Sequence, residues 1–169
     1  DFIKQFAVLL NPVGNFVSIC ISDRKSGGQI ISKHSIVIDV FKTLGYILHS
    51  HKIWVKGTGV NDYRVNYQHI MTFSRKGTKR KPVADFKPDV FIVNQSKYKS
   101  YSYGMPVRII ELLVSNYTDK NDIVYDPFMG SGTTAEACEN TRRRWIGSEI
   151  DEKYGELVKE RMGLGAEDL

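Results

Sequence analysis

A short loop with two glycines holds the residues of this sequence whose types and spacing could do chemistry. An apolar run at 123–125 ends in Asp126, and a proline, an aromatic residue, two glycines and two threonines follow. Glycine lets a backbone approach a ligand closely, because a Cβ would fill the space that the ligand needs. Thr133 and Thr134 place hydroxyls and backbone N–H groups at a predicted helix start, where polar or anionic groups bind well. The pattern is typical of a nucleotide-binding strand, loop and helix.

One acid follows this loop at the distance that nucleoside binding requires. Glu149 lies nineteen residues after Gly130, at the end of a second predicted buried strand, 145–150. In nucleoside-binding α/β units, an acid about 20 residues past the glycine accepts hydrogen bonds from the ribose hydroxyls. The loop lacks the lysine of a P-loop and the third glycine of the G-x-G-x-x-G pattern, so triphosphate sites and ordinary dinucleotide sites are not indicated.

Alternating strand and helix patterns around the loop predict an α/β fold. Two strands, 15–22 and 123–125, are almost continuously apolar, so we expect both to be covered on both faces. Two others, 46–55 and 68–74, are expected to form an antiparallel pair, and 23–28 is expected to be a polar loop. A short strand is predicted at 89–94, and Pro106 is expected to open a helix. Further helices are predicted at 2–10, 36–44 and 133–140 and after Asp151, which is expected to cap its helix.

The histidines give no indication of a metal site. His49 and His51 lie two residues apart on the predicted strand 46–55, so they are expected to face one side of it. No cysteine and no third histidine lies close to this pair in sequence. We therefore favour the interpretation that both are ordinary polar residues of a strand. No bound metal is therefore predicted.

Length and composition indicate one domain with a real core. The chain has 169 residues, of which 41% are hydrophobic. Its two cysteines, Cys20 and Cys138, lie in apolar segments and are expected to be reduced core residues of a cytoplasmic protein. No apolar run is long enough to cross a membrane, and no secretion signal is visible. Because the sequence begins with Asp1, we expect a processed or trimmed chain or a fragment.

The positive charge is concentrated in one segment. Residues 75–100 contain eight lysines and arginines against two aspartates, whereas the net charge of the whole chain is only +5. Such a cluster favours a polyanion partner, with a solvated loop as the alternative. The cations of this basic segment are Arg75, Lys76, Lys79, Arg80, Lys81, Lys87, Lys97 and Lys99.

The glycine loop resembles the cofactor loop of the amino-group DNA methyltransferases, whose pattern is D-P-F-x-G-S-G-T-T. Every fixed position of that pattern is matched between Asp126 and Thr134, and 147–154 is similar to the family's G-x-E-x-x-x-x-Y. By this resemblance the cofactor is S-adenosylmethionine, with Glu149 on the ribose and Ile150 against the adenine. The cofactor-binding residues that the resemblance implies are Asp126, Pro127, Phe128, Gly130, Ser131, Gly132, Thr133, Thr134, Glu149 and Ile150.

The resemblance extends over nearly the whole chain, in the permuted order in which the catalytic half comes first. It implies a three-layer, Rossmann-like methyltransferase fold with a mixed sheet, spanning 1–169. Within it, 75–103 corresponds to a target-recognition insertion and 104–162 to the cofactor-binding half. The implied partner is double-stranded DNA, for which the expected contacts are Arg75, Lys76, Lys79, Arg80 and Lys81.

The resemblance implies methyl transfer to the exocyclic amine of adenine, with cytosine less favoured. Enzymes of this family hold the extruded base with a [D/N/S]-P-P-[Y/F/W] motif, which this sequence does not contain. In the family fold, the strand that carries this motif lies between those at 123–125 and 15–22. We therefore expect an upstream segment or a second chain to supply that strand, since apolar strand edges recruit partners. A non-catalytic or degenerate methyltransferase-like DNA-binding subunit is the alternative, and methylation of RNA or protein is a third possibility.

Overall fold

The computed structural model describes residues 15–57, 65–79, 86–94, 96–98 and 101–165. The chain divides into two compact units. The first comprises Asp1–Lys81 and Lys87–Asn94, and the second comprises Pro82–Phe86 and Gln95–Leu169. The helix predicted at 2–10 and the cations Arg80 and Lys81 lie outside the described residues.

The first unit is built on a four-stranded mixed sheet. Strand β5 lies between β1 and β4 and is antiparallel to both, and β6 pairs with β4 in parallel. The antiparallel pair predicted from 46–55 and 68–74 is therefore confirmed. The elements of this unit are β1 (Phe16–Ile21), β2 (Arg24–Ser26), β3 (Gln29–Ile31), α1 (Lys33–Thr43), β4 (Tyr46–Val55), β5 (Tyr67–Arg75) and β6 (Val90–Ile92).

Helix α1 closes the core of this unit. Its buried residues Val37 and Phe41 pack against Tyr46, Met71 and Phe73 of the sheet. The rings of Phe41 and Phe73 stack with their centroids 4.2 Å apart. The spacing of apolar residues predicted a helix at 36–44, and Val37 and Phe41 form its buried face, whereas Ile36 is 57% exposed.

The prediction that 23–28 is a polar loop is wrong for most of this segment. Strands β2 and β3 form an antiparallel hairpin whose turn is Gly27 and Gly28, with φ of 58° and 77°. A two-residue turn with positive φ at both positions matches the twist of the flanking strands, and glycine adopts it without strain. The glycine pair therefore marks a hairpin turn.

The expectation that His49 and His51 face one side of their strand is also wrong. The register of β4 against β5 shifts between Leu48 and Ser50. An extra residue at such a bulge turns the following side chains to the other face. His51 contacts His69, whereas His49 contacts Ser74, which points to the opposite face of β5.

The second unit contains a parallel strand pair joined through a helix. Strand β10 pairs with β9 in parallel, and α3 connects them, as predicted. Asp151 caps the last helix by accepting a hydrogen bond from the Lys153 N–H at 3.0 Å, also as predicted. The elements are β7 (Ser96–Tyr98), β8 (Tyr101–Gly104), α2 (Val107–Tyr117), β9 (Ile123–Asp126), α3 (Thr133–Thr141), β10 (Arg144–Gly147) and α4 (Glu152–Met162).

The strands predicted as doubly covered are not buried. On β9, Ile123 is 50% exposed and Tyr125 is 45% exposed, and Ile146 on β10 is 54% exposed. No residue of β1 is buried either. Among the described residues, β9 has β10 as its one sheet neighbour, and β1 has only β5. The apolar residues Val17, Ile19 and Ile21 of β1 are half-buried against the core, whereas Ile123, Tyr125 and Ile146 are exposed.

Both cysteines are free of disulfide bonds, as predicted. Cys138 is buried, and burial raises the pKa of its thiol to about 11, while Cys20 is partly buried. Over the ranges that the structure describes, no helix has the length and apolar character needed to cross a membrane.

Candidate functional site

The glycine loop lies between β9 and α3, and backbone conformation explains its glycines. Gly130 and Gly132 have φ of 55° and 84°, values that residues with a Cβ rarely adopt. A Cβ on Gly132 would lie 3.4 Å from Cγ2 of Val158 on α4, which is an ordinary contact distance. The positive φ of Gly132, rather than a lack of space, therefore favours glycine at this position of the loop.

Asp126 organises the loop from within. Its Oδ1 accepts a hydrogen bond from the Phe128 N–H at 2.9 Å, and its Oδ2 accepts one from the Thr134 hydroxyl at 2.5 Å. The carboxylate thereby connects the end of β9 to both the start of the loop and the start of α3. Asp126 and Thr134, two residues of the predicted motif, are in direct contact.

Glu149 locks the loop from the neighbouring strand end. Its Oε2 accepts a hydrogen bond from the Gly130 N–H at 2.7 Å. Its Oε1 accepts from the N–H groups of Ile150 and Asp151, at 2.9 and 3.0 Å. These N–H groups, that of Asp151 most strongly, lower the pKa of the Glu149 carboxyl, so the side chain carries a full negative charge at neutral pH.

The carboxylate of Glu149 retains capacity for one more hydrogen bond. A carboxylate offers about four acceptor positions, two on each oxygen. Within the part of the chain that the structure describes, Oε1 accepts two hydrogen bonds and Oε2 accepts one. The remaining position on Oε2 can take a hydroxyl from a ligand without breaking any bond of the loop.

Backbone pairing beyond β10 brings Glu149 to the loop. The sequence predicted Glu149 at the end of a strand. Strand β10 ends at Gly147, so Glu149 lies just past the strand. The Ser148 N–H donates to the Asp126 carbonyl, and the Met129 N–H donates to the Ser148 carbonyl, both at 3.0 Å. A Cβ on Gly147 would overlap Cε of Met129, so a larger residue here would require the end of the Met129 side chain to move.

An arginine that the sequence did not indicate supports the other side of the loop. The Arg161 side chain on α4 is only 7% exposed, and its Nε donates to the Glu136 carboxylate. Its Nη1 donates to the Ser131 carbonyl at 2.9 Å and lies 3.4 Å from the Thr133 hydroxyl. The sequence feature that could have indicated Arg161 is its position three residues after Val158, on the face of α4 that packs into the unit.

Two apolar side chains beside the loop are open to solvent. Phe128 is 66% exposed and Ile150 is 100% exposed. Exposed apolar groups next to a polar loop are typical of a ligand site, because a ligand can cover them. Both residues are among those that the sequence motifs indicated.

The predicted DNA contacts differ in their surroundings. The Arg75 guanidinium donates to the Leu44 carbonyl at 2.7 Å and lies over the Tyr46 ring, 4.2 Å from its centroid. Arg75 is therefore engaged in the packing of its own unit. Lys76 and Lys79 are exposed to solvent.

Comparison with known proteins agrees with the site geometry. An N6/N4 methyltransferase family model, described as DNA methylase, matches residues 2–160. The type II methyltransferase M.MjaI of Methanocaldococcus jannaschii is 26% identical over 193 aligned residues, which cover 89% of this chain and 62% of the relative. The chain spans between 15% and 62% of the length of the curated relatives it matches.

Solved structures agree in fold. The crystal structure of an M1.HpyAVI–SAM complex has a TM-score of 0.78 and 27% identity, and it covers 96% of this chain and 81% of its own. The PvuII DNA methyltransferase (cytosine-N4-specific) has a TM-score of 0.81 over 98% of this chain and 70% of its own, but at 17% identity it indicates fold alone. The predicted Rossmann-like methyltransferase fold is confirmed. Because the family model spans nearly the whole chain, this protein belongs to the N6/N4 DNA methylase family.

Proposed function

We propose that this chain provides the S-adenosylmethionine site of a DNA methyltransferase that modifies the exocyclic amine of adenine, with cytosine less favoured. The observation that carries the proposal is the hydrogen bond from the Gly130 N–H to Glu149, because it joins the two sequence motifs into one site. The neighbour M1.HpyAVI is a complex with SAM, and several relatives are named type II methyltransferases. A role in restriction–modification is consistent with those names.

The described residues fit this cofactor. The loop 126–132 would lie along its methionine part, and the open acceptor position on Oε2 of Glu149 suits a ribose hydroxyl. The fully exposed side chain of Ile150 is available to pack on the adenine ring. When bound, S-adenosylmethionine supplies an activated methyl group on a sulfonium centre.

The protein's own contribution is a loop that is already ordered. Asp126, Glu149 and Arg161 fix it through carboxylate and guanidinium contacts that need no ligand. Binding to an ordered site loses less conformational entropy than binding to a flexible loop. The geometry therefore favours selective binding of a nucleoside whose ribose meets Glu149.

DNA is the proposed partner because of the basic segment 75–100. Lys76 and Lys79 are exposed at the end of β5, where cations can approach phosphates. Within a methyltransferase domain spanning 1–169, we assign target recognition to 75–103 and cofactor binding to 104–162. Adenine or cytosine would be presented by a part of the enzyme that holds the extruded base.

We further propose that this base-holding part comes from residues outside these 169 or from a second chain. The 169 residues contain no [D/N/S]-P-P-[Y/F/W] motif. Strands β1 and β9 each have one sheet neighbour among the described residues, so each has an edge on which another strand could pair. The same missing motif supports the second candidate, a non-catalytic DNA-binding subunit. A motif of this form in the coding sequence upstream of Asp1 would favour the enzyme.

Replacing Glu149 by glutamine is expected to weaken S-adenosylmethionine binding by about 10–100-fold, as measured by calorimetry. The amide has one acceptor oxygen in place of two, so at least one of the three loop N–H groups loses its partner, at a cost of about 1–3 kcal/mol. Glu152→Gln, at an exposed position on α4, is the matched control and should bind as the unmodified chain does.

Deoxynucleosides separate ribose binding by Glu149 from its role in the loop. The unmodified chain should bind adenosine more tightly than 2′-deoxyadenosine or 3′-deoxyadenosine, and Glu149→Gln should reduce that preference. Unchanged cofactor affinity in Glu149→Gln would overturn the site assignment. A preference that persists undiminished in the variant would limit Glu149 to holding the loop.

Replacing Arg161 by methionine is expected to lower both stability and cofactor affinity. The change removes the donors to Ser131 and Glu136, and we expect a loss of about 1–3 kcal/mol in unfolding free energy by urea denaturation. Lys159→Met, on the same helix, removes only an ion pair with the exposed Glu156 and should cost less than about 1 kcal/mol. Equal losses in the two variants would contradict a supporting role for Arg161.

Reversing the charges of Lys79, Arg80 and Lys81 to glutamate is expected to weaken DNA binding and flatten its salt dependence. For every phosphate that a side chain no longer neutralises, the slope of log K against log salt should fall in magnitude by about 0.9. Lys120→Glu, an exposed lysine outside the basic segment, serves as the control. A triple variant with an unaltered slope in fluorescence anisotropy titrations would rule out these residues as phosphate contacts.

A further inference from the structure

Four residues that the proposed methyl transfer does not use meet in the first unit. Asp23 follows β1, His34 lies in the first turn of α1, His51 is on β4 and His69 is on β5. Asp23 and His69 are each only 6% exposed, and the His34 side chain is 26% exposed. Three strands and a helix start thus contribute to one polar cluster at the edge of the core.

Asp23, His34 and His69 have nitrogen and oxygen atoms close enough to one another to bind one metal ion. Nδ1 of His34 lies 2.8 and 2.9 Å from the two carboxylate oxygens of Asp23. Nε2 of His69 lies 3.3 Å from Oδ2 of the same carboxylate. One ligand atom from each of the three residues lies within 4.8 Å of the other two. In a tetrahedral zinc site with bonds of about 2.0–2.2 Å, ligand atoms are separated by roughly 3.3–3.5 Å, so small shifts would admit a cation.

His51 supplies the outer contact that a ligating histidine requires. Its Nε2 lies 2.9 Å from Nδ1 of His69, the ring nitrogen on the far side from Asp23. If Nε2 of His69 binds a cation, Nδ1 must carry the proton and can donate it to His51. Such a hydrogen bond fixes the tautomer and ring orientation of a metal ligand.

Charge also favours a cation at this position. Asp23 is a buried carboxylate, and burying a charge is costly unless an opposite charge compensates it. The His34 and His69 rings stack with centroids 3.9 Å apart, so protonating both would place two positive charges face to face. A divalent cation would compensate Asp23 while both rings stay neutral.

We propose that Asp23, His34 and His69 form a binding site for a divalent transition-metal cation of the zinc class, with His51 as a positioning residue. Two imidazole nitrogens and a carboxylate are a ligand set for such ions, and three protein ligands leave one position for water. The site would join the residue segment that follows β1 to the start of β5 and the start of α1. Its residues belong to the first unit, whereas the cofactor loop belongs to the second.

The test is metal binding by the full chain, with any affinity tag removed and metal first stripped by a chelator. Zn²⁺ binding is measured by competition with a chromophoric chelator, and Co²⁺ binding by visible absorption, which reports coordination geometry. We expect one equivalent of either metal and a rise in the melting temperature with Zn²⁺, since ligands that bind only the folded state stabilise it.

Variants identify the ligands. His69→Ala, His34→Gln and Asp23→Asn should each remove stoichiometric binding, and His51→Ala should weaken it by about 10–100-fold. His49→Ala is the matched control, because His49 lies on the same strand as His51 but contacts Ser74 on the other face. Circular dichroism establishes that each variant is folded, and His34→Gln, the least buried ligand change, is decisive if the others do not fold.

Two results would overturn the proposal. The first is an unmodified chain that takes up no equivalent of Zn²⁺ or Co²⁺, in which case the cluster is a hydrogen-bonded network. The second is a His49→Ala variant that loses as much metal as His34→Gln. Neither measurement of metal binding involves the cofactor or DNA. Failure of the metal-site proposal can therefore be distinguished from failure of the proposed methyltransferase function.

Discussion

The hydrogen bond from the Gly130 N–H to the Glu149 carboxylate is the constraint on which the cofactor-binding unit depends. It joins the loop after one strand to the residue that follows the next strand, across nineteen positions of sequence. Neither position could be held by local structure alone, because Gly130 has a left-handed backbone and Glu149 lies past the end of β10. The backbone pairs of Ser148 with Asp126 and Met129 set the spacing in which this bond forms.

Charge fixes the loop on both sides. Glu149 accepts three backbone N–H groups on one side, while the Arg161 guanidinium donates to Ser131 and Glu136 on the other. Hydrogen bonds to charged groups are stronger than neutral ones, and leaving such a group without a partner costs more than the bond itself contributes. The loop is therefore held in one conformation, and its exposed neighbours Phe128 and Ile150 are left for a ligand to cover.

The features that could be predicted from sequence are those that depend on local spacing. The βαβ arrangement and the proximity of Glu149 to the loop both follow from motifs whose residues are fixed within a short unit. Arg161 could not be predicted in the same way, because its partners Ser131 and Glu136 lie 30 and 25 residues earlier. A position on the buried face of α4 does not indicate which groups an arginine there contacts. The prediction that β1 and β9 are buried was wrong, because an apolar run in the sequence does not indicate whether another element covers the strand.

The histidine cluster illustrates the same limit in the other unit. Asp23, His34, His51 and His69 come from four segments, and no spacing in the sequence links them. The bulge in β4 separates His49 from His51 and leaves only the latter facing His69. A one-residue irregularity in one strand thus decides which histidines meet, since each slip of one residue moves a side chain to the opposite face.

The central claim, that the glycine loop locked by Glu149 is the S-adenosylmethionine site, is tested most directly by NMR titration. The 19.3 kDa chain, labelled with ¹⁵N, is titrated with the cofactor while backbone amide resonances are followed. We predict that Gly130, Ser131, Gly132, Thr133 and Ile150 shift together with a single dissociation constant, and that amides of the first unit move little. Binding that leaves the Gly130 and Ile150 resonances in place, or that shifts another region instead, would contradict this claim.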